Sequence, residues 1–235
     1  MPFSVQIDFS RPVPLIVGPA SVLMPHSELQ LLVHDAATRQ ITGALRATAS
    51  GRAAPPLVVA TATIAGQGQR RAQPRLRGTV CVGLVMEKHE VGNALQRVLL
   101  HGVCRGIIRS IIEPSGGRAY RSALLEPLET VGDSKRIVRR AVESALEILD
   151  TEPMQHMRAA RGMRRAVAKV SRAWAVDVLA SQFVLEPEAR YRLLEEPETA
   201  VRARLMLEHV RRLGCFFSQA HLQSWSQWPK GLSWN

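Results

Sequence analysis

Short apolar runs broken by glycine and proline fill the first half of this chain, and apolar positions three and four residues apart fill the second. The first spacing suits strands and the second suits helices. Residues 14–17 and 28–33 are predicted strands. Asp35 is placed to accept a backbone N–H as the N-cap of a helix over 36–48. Residues 57–63, LVVATAT, are β-branched, bounded by breakers and predicted as a strand. From Val80 to Met86 apolar residues alternate with Cys81, Gly83 and Val85, the pattern of a largely buried strand. Glu90, Val91, Gly92 and Asn93 supply turn residues before a return strand over 95–100. Gly102 is expected to break that strand by taking a backbone angle most residues avoid, with strand resuming over 107–112. A turn at Pro114–Gly117 leads to a last strand over 120–128. Neighbouring strands in this order predict a meander curled into a small antiparallel barrel or sheet.

Past residue 130 the pattern is helical. Ser134 is placed to cap a helix ending at Leu149, on which Ile137, Ala141, Ala145 and Ile148 form an apolar stripe. Pro153 suits the first turn of a long helix to about residue 171, and residues 174–184 predict another. Pro187 and Pro197 open two more, the last ended by Gly214 in a C-cap role. The expected division is a β-rich part over 1–130, a helical bundle over 131–214, and a tail over 215–235. Trp225, Trp228 and Trp234 of the tail are expected to dock on the chain's own surface, with a partner contact as the alternative.

Set in order, these pieces resemble the LON domain, the N-terminal substrate-binding region of the ATP-dependent protease Lon. The similarity rests on VPLIV, on Leu23-Met24-Pro25 before LQLLV, and on Gly78-Thr79-Val80 opening the central strand. It continues through LQRVLLHG, Gly102 with Arg105, the strand ending in Glu-Pro-Leu, and AVDVLASQFVLEPEARYRLLEEPETAVRARLMLEHV near the end. It spans roughly residues 13–213. The resemblance implies an α+β fold, with a PUA-like β-barrel or curled sheet followed by an α-helical bundle. Gly78, Thr79, Gly102 and Arg105 then serve the fold, Arg105 through a salt bridge or a carbonyl contact. Two departures stand out: VHDAATR replaces the acidic-aromatic lead-in to the family's first helix, and a basic loop with Arg70, Arg71, Arg75 and Arg77 stands where many members are acidic or neutral.

Composition then narrows the chemistry. At 46% apolar residues the chain is globular rather than disordered. Three scattered cysteines and an N-terminus without a secretory pattern lead to the expectation of a reducing, cytoplasmic setting, and no run reaches the length of a membrane span. A net charge of +11 favours anionic partners. On the predicted helix from Pro153, Arg158, Arg161, Arg165, Lys169 and Arg172 would fall on one stripe, a candidate acidic-partner or nucleic-acid face. Met157, Ala160, Met163, Val167, Val170 and Trp174 would face the core.

No catalytic, cofactor-binding or metal-ligating set is found. GQGQRR at 66–71 lacks the spacing of a phosphate-cradling loop, and His89-Glu90 lacks the second histidine of a zinc helix. His101 and Cys104 have no companions at ligand spacing, and Cys81 is expected as a small buried apolar residue. The chain stops about twenty residues past the expected bundle, so neither an ATPase nor a serine–lysine protease domain is expected. The resemblance implies a non-catalytic module that recognises unfolded or partly folded polypeptide, or another protein as an adaptor, by groove or edge-strand contact. The alternative is a PUA-like RNA binder using its basic surface, against which only 5% of residues are aromatic and few lie on the β part.

Overall fold

The computed structural model describes residues 7–18, 22–33, 36–43, 58–63, 75–91, 95–132 and 135–222. The helix cap roles read for Asp35 and Ser134, Gly92 and Asn93 of the expected turn, Arg70, Arg71 and the three tail tryptophans lie outside these residues, whereas Glu90 and Val91 of that turn are strand.

The chain forms two compact units, residues 1–131 with 185–197, and residues 132–184 with 198–235. In the first, six strands form one sheet: β1 (Val13–Gly18), β2 (Glu28–Val33), β3 (Val58–Thr63), β4 (Thr79–Val91), β5 (Leu95–Ile112) and β6 (Ser122–Pro127). Their order is β2-β5-β4-β3-β1-β6, and β6 pairs again with β5, closing a five-stranded ring with β2 appended. The barrel is not wholly antiparallel, because β1 runs parallel to β3. Valines, leucines and alanines fill it: Val13, Leu15, Ala60, Val80, Val82, Ala123 and Leu125 make its core. Helix α1 (Ala36–Gly43) buries Ile41.

The long strand β5 explains how one element serves both the ring and its appendage. Its first half pairs with β2, from Val33 opposite Gln96 to Glu28 opposite His101. Its second half pairs with β6, from Gly106 opposite Pro127 to Ile112 opposite Ser122. Gly102 sits at the change of partner, and there it does not break the strand. Instead the loop before β2 passes against it: the His26 N–H donates to the Gly102 carbonyl at 2.8 Å, and the Gly102 N–H donates to the Ser27 carbonyl at 2.9 Å. A Cβ on Gly102 would lie 2.1 Å from the Met24 carbonyl oxygen, so glycine is needed for close approach.

In the second unit, α2 (Lys135–Leu149) buries Val138, Ala141, Val142, Ala145, Leu146 and Leu149 on one stripe. That stripe packs on α7 (Thr199–Leu222) and α5 (Arg172–Phe183). The single long helix expected from Pro153 is instead two short ones, α3 (Glu152–Gln155) and α4 (Met163–Val167). Gly162 lies between them with φ 76°, a left-handed conformation that interrupts a helix. The last helix does not end at Gly214 but runs through it to Leu222, into the expected tail. Gly214 is buried against α2, where a Cβ would lie 2.6 Å from Ile148 Cγ2. The unit also buries a charge pair: the Arg202 side chain is 1% exposed and that of Asp177 4%, with Nε 3.6 Å from Oδ1. Arg202 donates a further bond to Thr199 Oγ1 at 3.1 Å.

Helix α6 (Pro187–Glu195) belongs with the strands rather than with the helices that flank it in sequence, so a linear division at residue 130 does not follow the packing.

Candidate functional site

Of the family-motif residues, Thr79 and Arg105 sit where α6 meets the barrel wall, with Gly78 next to Thr79, and Gly102 lies against the loop before β2. The Tyr191 hydroxyl accepts from the Thr79 N–H at 3.0 Å, and Gly78 accepts from the Ile108 N–H at 2.8 Å. The buried Arg105 donates from Nε to the Leu194 carbonyl at 3.1 Å, the carbonyl contact expected of it. Arg77 is not a free cation of the basic loop. Its guanidinium lies 4.3 Å from the Tyr191 ring centroid and makes a two-pronged pair with Glu188, one prong at 3.0 Å. The hydrogen bond from Arg77 holds the Glu188 carboxyl below its ordinary range, and the same bond raises the guanidinium. Arg75 is exposed. These groups hold α6 in place; none is arranged around a space for a substrate.

The basic stripe does not form as expected, because its helix is broken. Arg158 and Arg161 lie in the turns before Gly162, Arg165 in α4, Lys169 in the turn after it, and Arg172 at the start of α5. All five are exposed, and Arg161 donates to the Gln155 carbonyl at 2.8 Å. Of the expected core-facing set, Ala160, Met163 and Val167 are buried, but Trp174 is 46% exposed.

The cysteines offer no reaction centre. Cys81 is buried, as expected, Cys104 is half-buried on β5, and Cys215 is exposed on α7. Burial pushes the Cys104 thiol up to about 11. Among the described residues, no three acidic, histidine or cysteine side chains gather where they could hold a metal. A thiol reagent at pH 8 is expected to label Cys215 first, Cys104 far more slowly, and Cys81 only on unfolding. Mass spectrometry of timed digests checks this order. The Cys104 shift also favours the folded state fully below the ordinary value of 9.0, and that contribution is lost as pH rises towards about 11.

Three exposed apolar side chains of the first unit, Leu32, Met86 and Val91, lie on the ribbon formed by β2, the first half of β5 and the far end of β4, while Ile111, Val131 and Leu185 are exposed elsewhere. Register places Leu32, Arg97 and His89 across one row, Gln30, Leu99 and Glu87 across the next, and Leu95 opposite Val91. Leu32 is 60% exposed and Val91 39%, while Leu95 and Leu99 are half-buried. Val33, Val98 and Leu100, on the other face, are buried. Thr42 of α1 hydrogen-bonds Gln96 at 3.2 Å at that end of β5. A register shift in β4 between Val85 and Glu87 leaves Met86 as an extra residue, 52% exposed. Among the described residues β2 pairs only with β5, so its outer edge meets no described strand. A strand edge beside aliphatic side chains can hydrogen-bond an extended chain and bury some of its side chains.

This ribbon face is the part of the surface that sequence reading missed. Its signal was the doublet Leu31-Leu32 in LQLLV, where strict alternation forces one leucine outward.

Residues 12–212 match the family described as the ATP-dependent protease La (LON) substrate-binding domain. No curated protein sequence matches the chain. Among solved structures, the N-terminal domain of the Mycobacterium avium complex Lon protease is similar, with a TM-score of 0.64 at 15% identity over 86% of this chain and 98% of that one. A Lon N-terminal domain protein from Xanthomonas campestris is also similar, with a TM-score of 0.53 at 14% identity over 84% of this chain and 98% of that one. With the closed barrel, the appended β2 and the motif residues around α6, the match over most of its length means that the chain belongs to the LON substrate-binding domain family.

Proposed function

We propose that the protein recognises extended segments of unfolded or partly folded polypeptide on the β2–β5–β4 ribbon, without catalysing a reaction on them. The observation that carries this reading is Leu32, 60% exposed on a strand whose outer edge meets no described partner. Backbone groups of β2 would pair with the client, and Leu32 beside that edge would meet its apolar side chains. Membership of the substrate-binding family supports a polypeptide ligand.

The client loses chain entropy on docking, so affinity is expected in the micromolar range or weaker, on the order of 1–100 µM. Titration of a labelled, permanently unfolded protein of low net charge tests this. Leu32→Asp should weaken binding roughly tenfold or more, because an apolar contact becomes a desolvated carboxylate. Raising salt should change the affinity little, since backbone bonds and apolar contacts are not screened. Tight, salt-sensitive binding of structured RNA with no affinity for the unfolded chain would replace this reading with the nucleic-acid one.

A further inference from the structure

In the second unit, α2, α4 and the start of α5 border an open cleft of about 530 Å³. Aliphatic Leu146, Val167 and Val170 line it together with Glu143, Arg164 and Arg172. The lining combines an apolar surface with guanidinium groups, and its charges are unequally placed. Arg164 is committed to Asp150, with contacts at 2.5 and 2.7 Å. Arg172 opens α5, where the helix dipole adds positive potential.

The chain around the cleft is one-sided in charge. From Pro153 to Val176 it carries Arg158, Arg161, Arg164, Arg165, Lys169 and Arg172 and no carboxylate. All six side chains are exposed. Breaking the expected helix at Gly162 leaves these cations on turns and short helices that adjoin the cleft-lining residues in sequence, rather than on one stripe.

We infer that this cleft and the cations beside it bind an acidic polypeptide segment that carries a bulky apolar side chain among its carboxylates. The apolar side chain fills the space lined by Leu146, Val167 and Val170, and the carboxylates meet Arg172, Lys169 and Arg165. Glu143 lies in the lining and excludes a carboxylate from its own neighbourhood, which fixes the side from which the acidic residues approach. A nucleic acid suits the site less well. Its phosphodiester backbone has no apolar group to bury here, and no lining residue is aromatic for a base to stack on. The inference concerns a different unit from the ribbon and does not rest on the reading proposed for it.

The experiment uses the full chain and a labelled peptide of glutamates and glycines around two leucines. Its comparators are the same peptide with serines for leucines, and single-stranded and duplex oligonucleotides of matched charge. Binding to the leucine peptide is expected, and to the serine peptide roughly tenfold weaker. Lys169→Glu with Arg172→Glu should weaken the leucine peptide by roughly tenfold or more. Both positions are exposed, and a glutamate in the first turn of α5 suits the helix dipole, so the fold should tolerate the change. Ala168→Trp, which narrows the cleft, should weaken the leucine peptide and leave the serine peptide unchanged. Both variants should bind the low-charge unfolded client of the ribbon as the parent does. Equal affinity for the two peptides, tighter binding of an oligonucleotide than of the leucine peptide, or no effect of Ala168→Trp would each overturn the inference.

Discussion

Replacing Gly102 by alanine is expected to destabilise the protein by about 3 kcal/mol or more, at the upper end of what overpacking costs. The new methyl would sit 2.1 Å from the Met24 carbonyl oxygen, 2.9 Å from its carbon and 3.0 Å from Cys81 Sγ. The first two are backbone atoms and cannot rotate away. Relief requires the loop to lift, which would break the two hydrogen bonds that join it to Gly102. Gly78 of the same family motif is the control: a Cβ there meets nothing within 4 Å, and Gly78→Ala should change stability by less than about 1 kcal/mol. Chemical denaturation of both variants checks the contrast. A loss below about 1 kcal/mol for Gly102→Ala would show that the loop does not need this approach.

The second large effect is expected at the buried pair of the helical unit. Arg202→Met should cost about 3–5 kcal/mol, because Asp177 keeps its carboxylate in the interior without the guanidinium beside it. Replacing both, Asp177→Leu with Arg202→Met, should recover most of that loss, since well-packed apolar side chains often match a buried pair. A denaturation cycle over the two single variants and the double one measures the coupling. If the double variant were no more stable than Arg202→Met, the cost would come from lost packing around Arg202 rather than from an orphaned charge.

Much of the barrel could be read from local pattern, because β2 alternates between its two faces and β4 opens on a continuous buried run from Val80 to Val85. The errors share a physical origin in glycine. A sequence shows that a position lacks a side chain but not whether backbone angle or space demands it. Gly102 and Gly214 were read as points where an element stops, yet both lie inside continuous elements at a close approach. Gly162 was read as lying within a helix and is instead the left-handed residue that interrupts it. The arginines show the complementary problem. Arg77 pairs with a residue 111 positions away and Arg105 with one 89 away, distances over which periodicity carries no information. For Arg105 it was the family resemblance, not periodicity, that implied a role in the fold through a salt bridge or a carbonyl contact.

The membership of α6 in the barrel unit has a consequence for synthesis. The ribosome finishes the last barrel strand at Pro127, then makes α2 to α5 before it reaches Tyr191 and Leu194. At about 5–20 residues per second, the nascent barrel waits on the order of several seconds for the carbonyl that accepts from Arg105 and for the ring that lies against Arg77. During that interval the wall that α6 will cover is open to chaperones or to a neighbouring nascent chain. A gene fragment ending at residue 131 would make that interval permanent.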